Sequence, residues 1–426
     1  MIFIVISLGP SAPLYGDEFA LLASNHEALQ RRISMIEQAE GDICMACYRV
    51  DSSQVPMALL TLLRHRAEAG VRVRVIVDGF VSRIPSSAQR FLAAGGVEIR
   101  VFHPLFQGRL DWLNRRMHSK LLVVDRSALL IGSRNLTDHH FGLQDTHFVD
   151  CDAYLTGHTC QQAADYFDWL WASPDVCAIS HCWATDNAVE TQTCSQIRGD
   201  EMTDPAQALA RLPSRTQAQC DDSLPTASCQ VGAAEFCLLH DLELDKSRMT
   251  LANQVLAMVD SAQETLIIES PYPAFSHRFL EALKRAAKRK VAITVLTNSL
   301  ASTDQVIVYA AYHNQKAALM RHGVRLFEFS GPEHLHAKGM VVDDRVAMLG
   351  SYNFDARSER LNLEICVATT NPQAVSLIKQ SMLERQRRTC SVGRLHVVDV
   401  VGRSEPARRA HVRTAQWFAP LLRPLL

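Results

Sequence analysis

Short apolar runs alternate with amphipathic stretches along this chain, and the same series occurs twice. Residues 27–50 read as an amphipathic helix running into the apolar strand Asp42-Ile-Cys-Met-Ala-Cys-Tyr. Pro56–Ala69 has a helical period and ends at Gly70, and the strand Val71-Arg-Val-Arg-Val-Ile-Val follows. A short helix around Ala88–Ala94 leads through Gly95-Gly96 to the strand Val97-Glu-Ile-Arg-Val-Phe. Later, Leu251–Ala262, Phe275–Lys288 and Gln305–His322 are helical in period. They precede the strands Thr265-Leu-Ile-Ile-Glu-Ser, Val291-Ala-Ile-Thr-Val-Leu-Thr and Val324-Arg-Leu-Phe-Glu-Phe. Helices alternating with short β-branched runs predict an α/β fold, here duplicated.

Each copy then reaches the same pattern. The first has His118-Ser-Lys120-Leu-Leu-Val-Val-Asp125, then Gly132-Ser133-Arg-Asn135; the second has His336-Ala-Lys338-Gly-Met-Val-Val-Asp343, then Gly350-Ser351-Tyr-Asn353. The shared form is H-x-K-x4-D-x6-G-S-x-N. One short motif is weak, but two complete copies with identical spacing are not. His and Lys at i and i+2 share one face of an extended chain. Two copies facing one another supply two imidazoles and two ammonium groups. That set suits a phosphodiester: Lys and Asn, with Ser133, Asn135, Ser351 and Asn353 as candidate phosphate-binding residues, stabilise its oxygens while the imidazoles sit in line.

On these motifs the chain resembles the phospholipase D superfamily. More narrowly it is similar to bacterial cardiolipin synthases of the type without long N-terminal membrane helices. Ser270-Pro-Tyr-Pro, residues 297–304 and residues 350–364 add to the likeness, which spans most of 20–370. The resemblance implies two pseudo-symmetric lobes, each a mixed β-sheet flanked by helices, sharing one active site. Lobe 1 is expected at 20–174, a linker or insertion at 175–245, lobe 2 at 246–372 and a basic tail at 373–426. It implies phosphatidyl transfer between phospholipids to make cardiolipin, with phosphatidylglycerol and possibly phosphatidylethanolamine as substrates, at the cytoplasmic membrane surface; a hydrolytic phospholipase D, or a nuclease or other phosphodiesterase of the same superfamily, is the alternative that the same motifs allow. His118 is then the nucleophile and His336 the general acid/base. Asp150 and Glu364 are the candidate acids that orient the histidines, with Asp152 in reserve. Asp125 and Asp343 complete the motifs and are expected to hold turns. No cofactor is expected, and the two lysines already neutralise a phosphate, so metal independence is expected too.

Other features have plainer readings. His139-His140 reads as a polar loop or helix start, and His334-x-His336 lacks a third metal ligand. Ser302-Thr-Asp-Gln305 matches a capping box, with a substrate-facing role as the alternative. Arg357, Ser358 and Asn362 resemble family positions near the second site, with a solvated loop as the plainer reading, and are not expected to be catalytic.

Composition changes the picture little. The chain has 426 residues and a net charge of −1, which offers no global attraction to nucleic acid, and none is expected as a partner. Twelve cysteines include Cys44-x-x-Cys47 inside an apolar strand, read as buried thiols, and six between 177 and 237 whose pairing stays open. No run approaches the ~20 apolar residues of a membrane-spanning helix. Ile2–Leu8 reads as a short strand or degenerate targeting segment. From Lys379 onward ten Lys/Arg face three Asp/Glu, and the chain ends in Trp417, Phe418 and leucines. That tail is either a solvated extension or a contact with anionic lipid.

Overall fold

The computed structural model describes residues 17–104, 112, 114–144, 146–179, 227–231, 235–241 and 250–392. The expectations for Ile2–Leu8 and for the Trp417–Phe418 end lie outside the described residues. Lobe 1 is built on strands β1 (Asp17–Leu22), β2 (Asp42–Cys47), β3 (Arg72–Asp78), β4 (Glu98–Phe102), β5 (Leu121–Val124), β6 (Ala128–Gly132), β7 (Phe148–Val149), β8 (Asp152–Thr156), β9 (Val176–Ala178) and β10 (Ala227–Val231). Lobe 2 carries β11 (Phe236–His240), β12 (Thr265–Glu269), β13 (Ala292–Asn298), β14 (Arg325–Phe329), β15 (His334–Leu335), β16 (Gly339–Val342), β17 (Val346–Gly350), β18 (Ile365–Thr369) and β19 (Thr389–Ser391).

The duplication is carried through to the sheets. One runs β10-β1-β8-β6-β5-β2-β3-β4-β9 and the other β11-β18-β17-β16-β12-β13-β14-β19. In both, three consecutive strands are parallel (β2-β3-β4 and β12-β13-β14) and the rest pair antiparallel. Helices alternate with the parallel strands because a parallel connection must cross back over the sheet.

Strand side chains are apolar on both faces because both faces are covered. In β2, Cys44 and Ala46 enter a central core, while Ile43, Met45 and Cys47 enter the outer core of lobe 1. In β18, Ile365 and Val367 enter that same central core, and Cys366 and Ala368 face the outer core of lobe 2. The central core therefore belongs to both lobes, and separating them would expose it. Cys44 and Cys47 are buried and free, and they point to opposite faces of one strand, so they cannot share a metal or a disulfide.

Two regions differ from the sequence-based expectation. The ends of the 175–245 segment are strands: β9 closes one edge of the first sheet, β10 lies beside β1, and β11 lies beside β18. The segment beginning at 373 starts as a helix, Pro372–Arg387, with Pro372 in its first turn and Asn371 Oδ1 accepting from Ala374 N at 2.9 Å. Its buried Arg385 forms a bidentate pair with Glu269 of β12, at 2.6 and 2.7 Å. The basic residues that suggested a tail thus include a cation locked in the core.

Candidate active site between the lobes

Backbone pairing across the lobes sets the position of each histidine. β7 and β15 form a small parallel sheet in which His334 faces Phe148 and Leu335 faces Val149. The related bridge joins Met117 to Leu363. Each segment leading into a motif histidine is therefore paired with the segment before the other lobe's acid. His118 N donates to Leu363 O (2.9 Å) and His336 N to Val149 O (2.8 Å). The ends of β3 and β13 hold these segments from behind. Asp78 Oδ2 accepts from Met117 N at 3.0 Å, and Asn298 Oδ1 accepts from Leu335 N at 2.8 Å.

The result is a crossed arrangement. His118 Nδ1 lies 2.9 Å from Glu364 of lobe 2, and His336 Nδ1 lies 2.7 Å from Asp150 of lobe 1. The sequence suggested both acids without saying which histidine each would serve. All four groups are buried. An ionised carboxylate only accepts, so each imidazole places its proton on Nδ1 and keeps an Nε2 lone pair. Burial pushes the His118 pKa down to about 4, against the pull of Glu364; burial and Lys338 lower His336 as well. Burial opposes ionisation of Glu364, but His118, Ser351 and Lys120 prevail and bring it to about 2. Asp150 is likewise held well below the usual carboxylate range by His140 and His336, despite its burial.

Lys120 and Lys338 lie beside the histidines. Their Nζ groups donate to the carbonyls of His118 (2.7 Å) and His336. Burial lowers Lys120 to about 8 and Lys338 to about 7, with Lys120 adding to the shift of Lys338. Lys338 also bears on His118, so the two motifs feel each other's charge. Tyr48 packs edge-on against the His118 ring at 4.7 Å, and Lys120 Nζ sits 5.1 Å from the Tyr48 ring centre.

The hydroxyls of Ser133 and Ser351, expected to meet phosphate, are paired with the orienting acids. Ser133 Oγ donates to Asp150 (2.6 Å) and accepts from Cys151 N (3.0 Å). Ser351 Oγ donates to Glu364 and accepts from Ile365 N (2.9 Å). A hydroxyl has one hydrogen, and here it is given to the orienting carboxylate, leaving none for a phosphate. The preceding glycines permit this. A Cβ on Gly132 would collide with Asp152 Oδ1, and one on Gly350 would collide with Ile365 O. Asn135 and Asn353 are buried and each keeps an Oδ1 with no hydrogen-bond partner.

Asp125 and Asp343 hold turns. Asp125 accepts from the backbone N–H groups of Glu40, Gly41 and Asp42 at 2.7–2.8 Å, and Asp343 from those of Gln263, Glu264 and Thr265 at 2.8 Å. They pin the loops that enter β2 and β12, at the far end of the strands from the histidines. Asp152 is bound by Arg32 (2.9 Å) and Arg134 (3.0 Å) and is not an orienting acid.

Two further expectations are corrected and a third is made more specific. Ser302 caps no helix; its hydroxyl bonds Phe329 O and Asn298 Oδ1. Ser358 and Asn362 are buried rather than solvated, and both donate to Glu364, at 2.6 and 3.3 Å. His139 and His140 do fall in a short helix, Asp138–Phe141, but His140 is buried and its Nδ1 lies 2.6 Å from Asp150. Alignment of the two copies was the signal for it, since His140 and Ser358 occupy the same place, five residues after Asn135 and Asn353.

Among the described residues, the donor atoms grouped closely enough to hold a metal are those of His140, Asp150 and His336, within 4.8 Å of one another. Both imidazoles already direct Nδ1 at Asp150, and a metal bound there would displace the hydrogen bond that orients His336.

A family model described as the PLD-like domain of cardiolipin synthase matches residues 33–171 and 255–385, one span in each lobe. Cardiolipin synthase C of Escherichia coli is 26% identical over 442 residues, covering 94% of this chain and 93% of that protein. A cardiolipin synthase A of Pseudomonas putida is 30% identical over 378 residues, covering 85% of this chain and 67% of that protein. The crystal structure of phosphatidylserine synthase from Haemophilus influenzae has the same fold, with a TM-score of 0.71 at 13% identity over 96% of this chain and 95% of that one. The duplicated motifs, the paired sheets and these matches agree that the chain belongs to the cardiolipin synthase-like branch of the phospholipase D superfamily of phospholipid-metabolising enzymes.

Proposed function

We propose that this enzyme transfers a phosphatidyl group from one phospholipid to another, making cardiolipin through a covalent phosphohistidine on His118. The observation that carries this is the crossed site: two neutral imidazoles with free Nε2 atoms, each held by the other lobe's acid, between two lysines. In the first step His118 Nε2 attacks phosphorus and the bond to the leaving alcohol breaks, its oxygen taking a proton from His336 Nε2. Lys120, Lys338, Asn135 and Asn353 bind the phosphoryl oxygens. The anionic phosphodiester raises the proton affinity of His336, which lets that imidazole enter as an acid. In the second step His336 takes the proton of the acceptor hydroxyl, whose oxygen attacks phosphorus and breaks the P–N bond. Phosphatidylglycerol supplies both the phosphatidyl group, its glycerol headgroup being the alcohol that leaves, and an acceptor hydroxyl, and the surface of the membrane is where it is met. No helix among the described residues is long and apolar enough to cross a membrane.

The full chain incubated with phosphatidylglycerol vesicles, with and without phosphatidylethanolamine and a chelator, is expected to yield cardiolipin by lipid mass analysis in every case. Phosphatidic acid alone would assign hydrolysis instead, and loss of product with chelator would bring in a metal.

The lysines set the alkaline side of the pH profile. kcat/KM reports the free enzyme. As pH rises through about 7 and then about 8, Lys338 and Lys120 lose their protons and the phosphate loses its cationic partners. kcat/KM should therefore fall from neutrality upward, while kcat, measured with the anion bound, should persist to higher pH. A kcat/KM that stays flat to roughly pH 9 would remove the lysines from phosphate binding.

A further inference from the structure

The two halves of the site differ at one repeat position. Five residues after Asn135 stands His140, and five residues after Asn353 stands Ser358. Ser358 Oγ donates to Glu364 and accepts from the backbone N–H of Asn353 (3.1 Å). His140 does more. Its Nδ1 lies 2.6 Å from Asp150 Oδ2, and its Nε2 lies 3.2 Å from Asn135 Nδ2. The ring is stacked on Phe148 at 4.4 Å and meets the His336 ring edge-on at 4.8 Å, so it has one orientation. Asp150 Oδ1 meanwhile takes His336 Nδ1 and Ser133 Oγ.

We infer that His140 is a positioning residue that links the acid orienting His336 to the amide of Asn135, fixing which end of that amide faces a bound phosphoryl group. This rests on the reading of Asn135 as a phosphate ligand given above. The chemistry allows one arrangement. Asp150 can only accept, so the His140 proton sits on Nδ1 and its Nε2 is an acceptor. Asn135 must then turn its NH2 toward His140. One N–H is given to the ring, and the second has no other partner among the described residues. That second N–H is the donor left for an anionic oxygen. The groups facing His140 favour the neutral ring: burial lowers its proton affinity, with Lys338 and Arg134 acting the same way against Asp150. Were the ring protonated, its Nε2–H would face the Asn135 NH2, donor against donor. The amide would turn over and present its oxygen to the phosphate.

The test is the affinity of the full chain for inorganic phosphate, by calorimetry, alongside kcat and KM on phosphatidylglycerol. His140→Phe keeps the ring's bulk without either nitrogen. It should weaken phosphate binding by roughly tenfold, the scale of one hydrogen bond to a charged group. His140→Gln, with both a donor and an acceptor, should recover to within about threefold of wild type. In an Asn135→Ala background, His140→Phe should cause no further loss of phosphate affinity, because its action there runs through the missing amide. A merely structural role predicts the opposite: an added loss in the Asn135→Ala background and no rescue by glutamine. Equal phosphate affinity in wild type and His140→Phe would overturn the inference. If wild type binds phosphate with this pattern but converts no phosphatidylglycerol, lipid transfer fails and the role of His140 stands. If wild type binds no phosphate, both fall.

Discussion

His118→Ala is expected to lower turnover of phosphatidylglycerol by at least about 10⁴-fold and to leave no covalent adduct. The loss is large because no described residue offers a second nucleophile in that position. Lys120 is bonded to the His118 carbonyl, and the nearby Ser119 hydroxyl is paired with Tyr166 OH at 2.7 Å. His336→Ala should be equally inactive on phosphatidylglycerol for a different reason: on the proposed assignment the leaving alcohol then departs without a proton. An aryl phosphodiester such as bis(4-nitrophenyl) phosphate separates the two, because its leaving group needs no proton. His336→Ala should release one equivalent of nitrophenol in a burst and trap a phosphoryl group on His118, visible by mass spectrometry of the intact protein. His118→Ala should show neither. A burst from His118→Ala, with the adduct on His336, would exchange the two roles.

Much of this was legible in the sequence. The duplication, the order of helices and strands, and the two His–Lys pairs all follow from spacing and periodicity, and both sheets carry them on the same three parallel strands and the antiparallel strands beside them. A turn-holding role for Asp125 and Asp343 was also readable, since each directly follows the apolar strand residues of its motif. What could not be read was which partner each group would meet. Leu363 and Glu364 lie next to Met117 and His118 only because a bridge forms across more than two hundred residues of chain, and nothing local encodes it. Ser133 and Ser351 have the right chemistry for phosphate, yet the close approach that Gly132 and Gly350 allow puts a carboxylate nearer. Ser302 fits a capping pattern, but the buried Phe329 carbonyl competes for its hydroxyl. In each case the residue type was right and a tertiary neighbour decided its use.

Glu364→Gln and Asp150→Asn test the crossing itself, and each should lower lipid turnover by about 10³- to 10⁴-fold. An amide is nearly the same size as the carboxylate, so the lobes should still pack. The charge and the acceptor geometry are lost. In Glu364→Gln the new amide would have to satisfy His118, Ser351, Ser358 and Asn362, all of which donate to Glu364 in the native site. One end of the amide is itself a donor, so part of that set must break or turn around. His118 is then free to carry its proton on Nε2, where it blocks attack. The positive charge that forms on the ring as Nε2 bonds to phosphorus also loses its counter-ion. Because this damage falls on the nucleophile, an activated leaving group should not repair it. Asp150→Asn damages His336 instead, the group proposed to supply the proton. Its defect on bis(4-nitrophenyl) phosphate should shrink by about 10²-fold relative to the lipid, the usual contribution of a general acid. The acid in lobe 1 would thus behave as a defect in leaving-group protonation, and the acid in lobe 2 as a defect in attack. Pairing within each lobe predicts the reverse, with Glu364→Gln rescued by the aryl substrate and Asp150→Asn not. Rapid-quench measurement of nitrophenol release from the two variants distinguishes these outcomes, and it ties the catalytic roles to the paired segments that carry the lobes' contact.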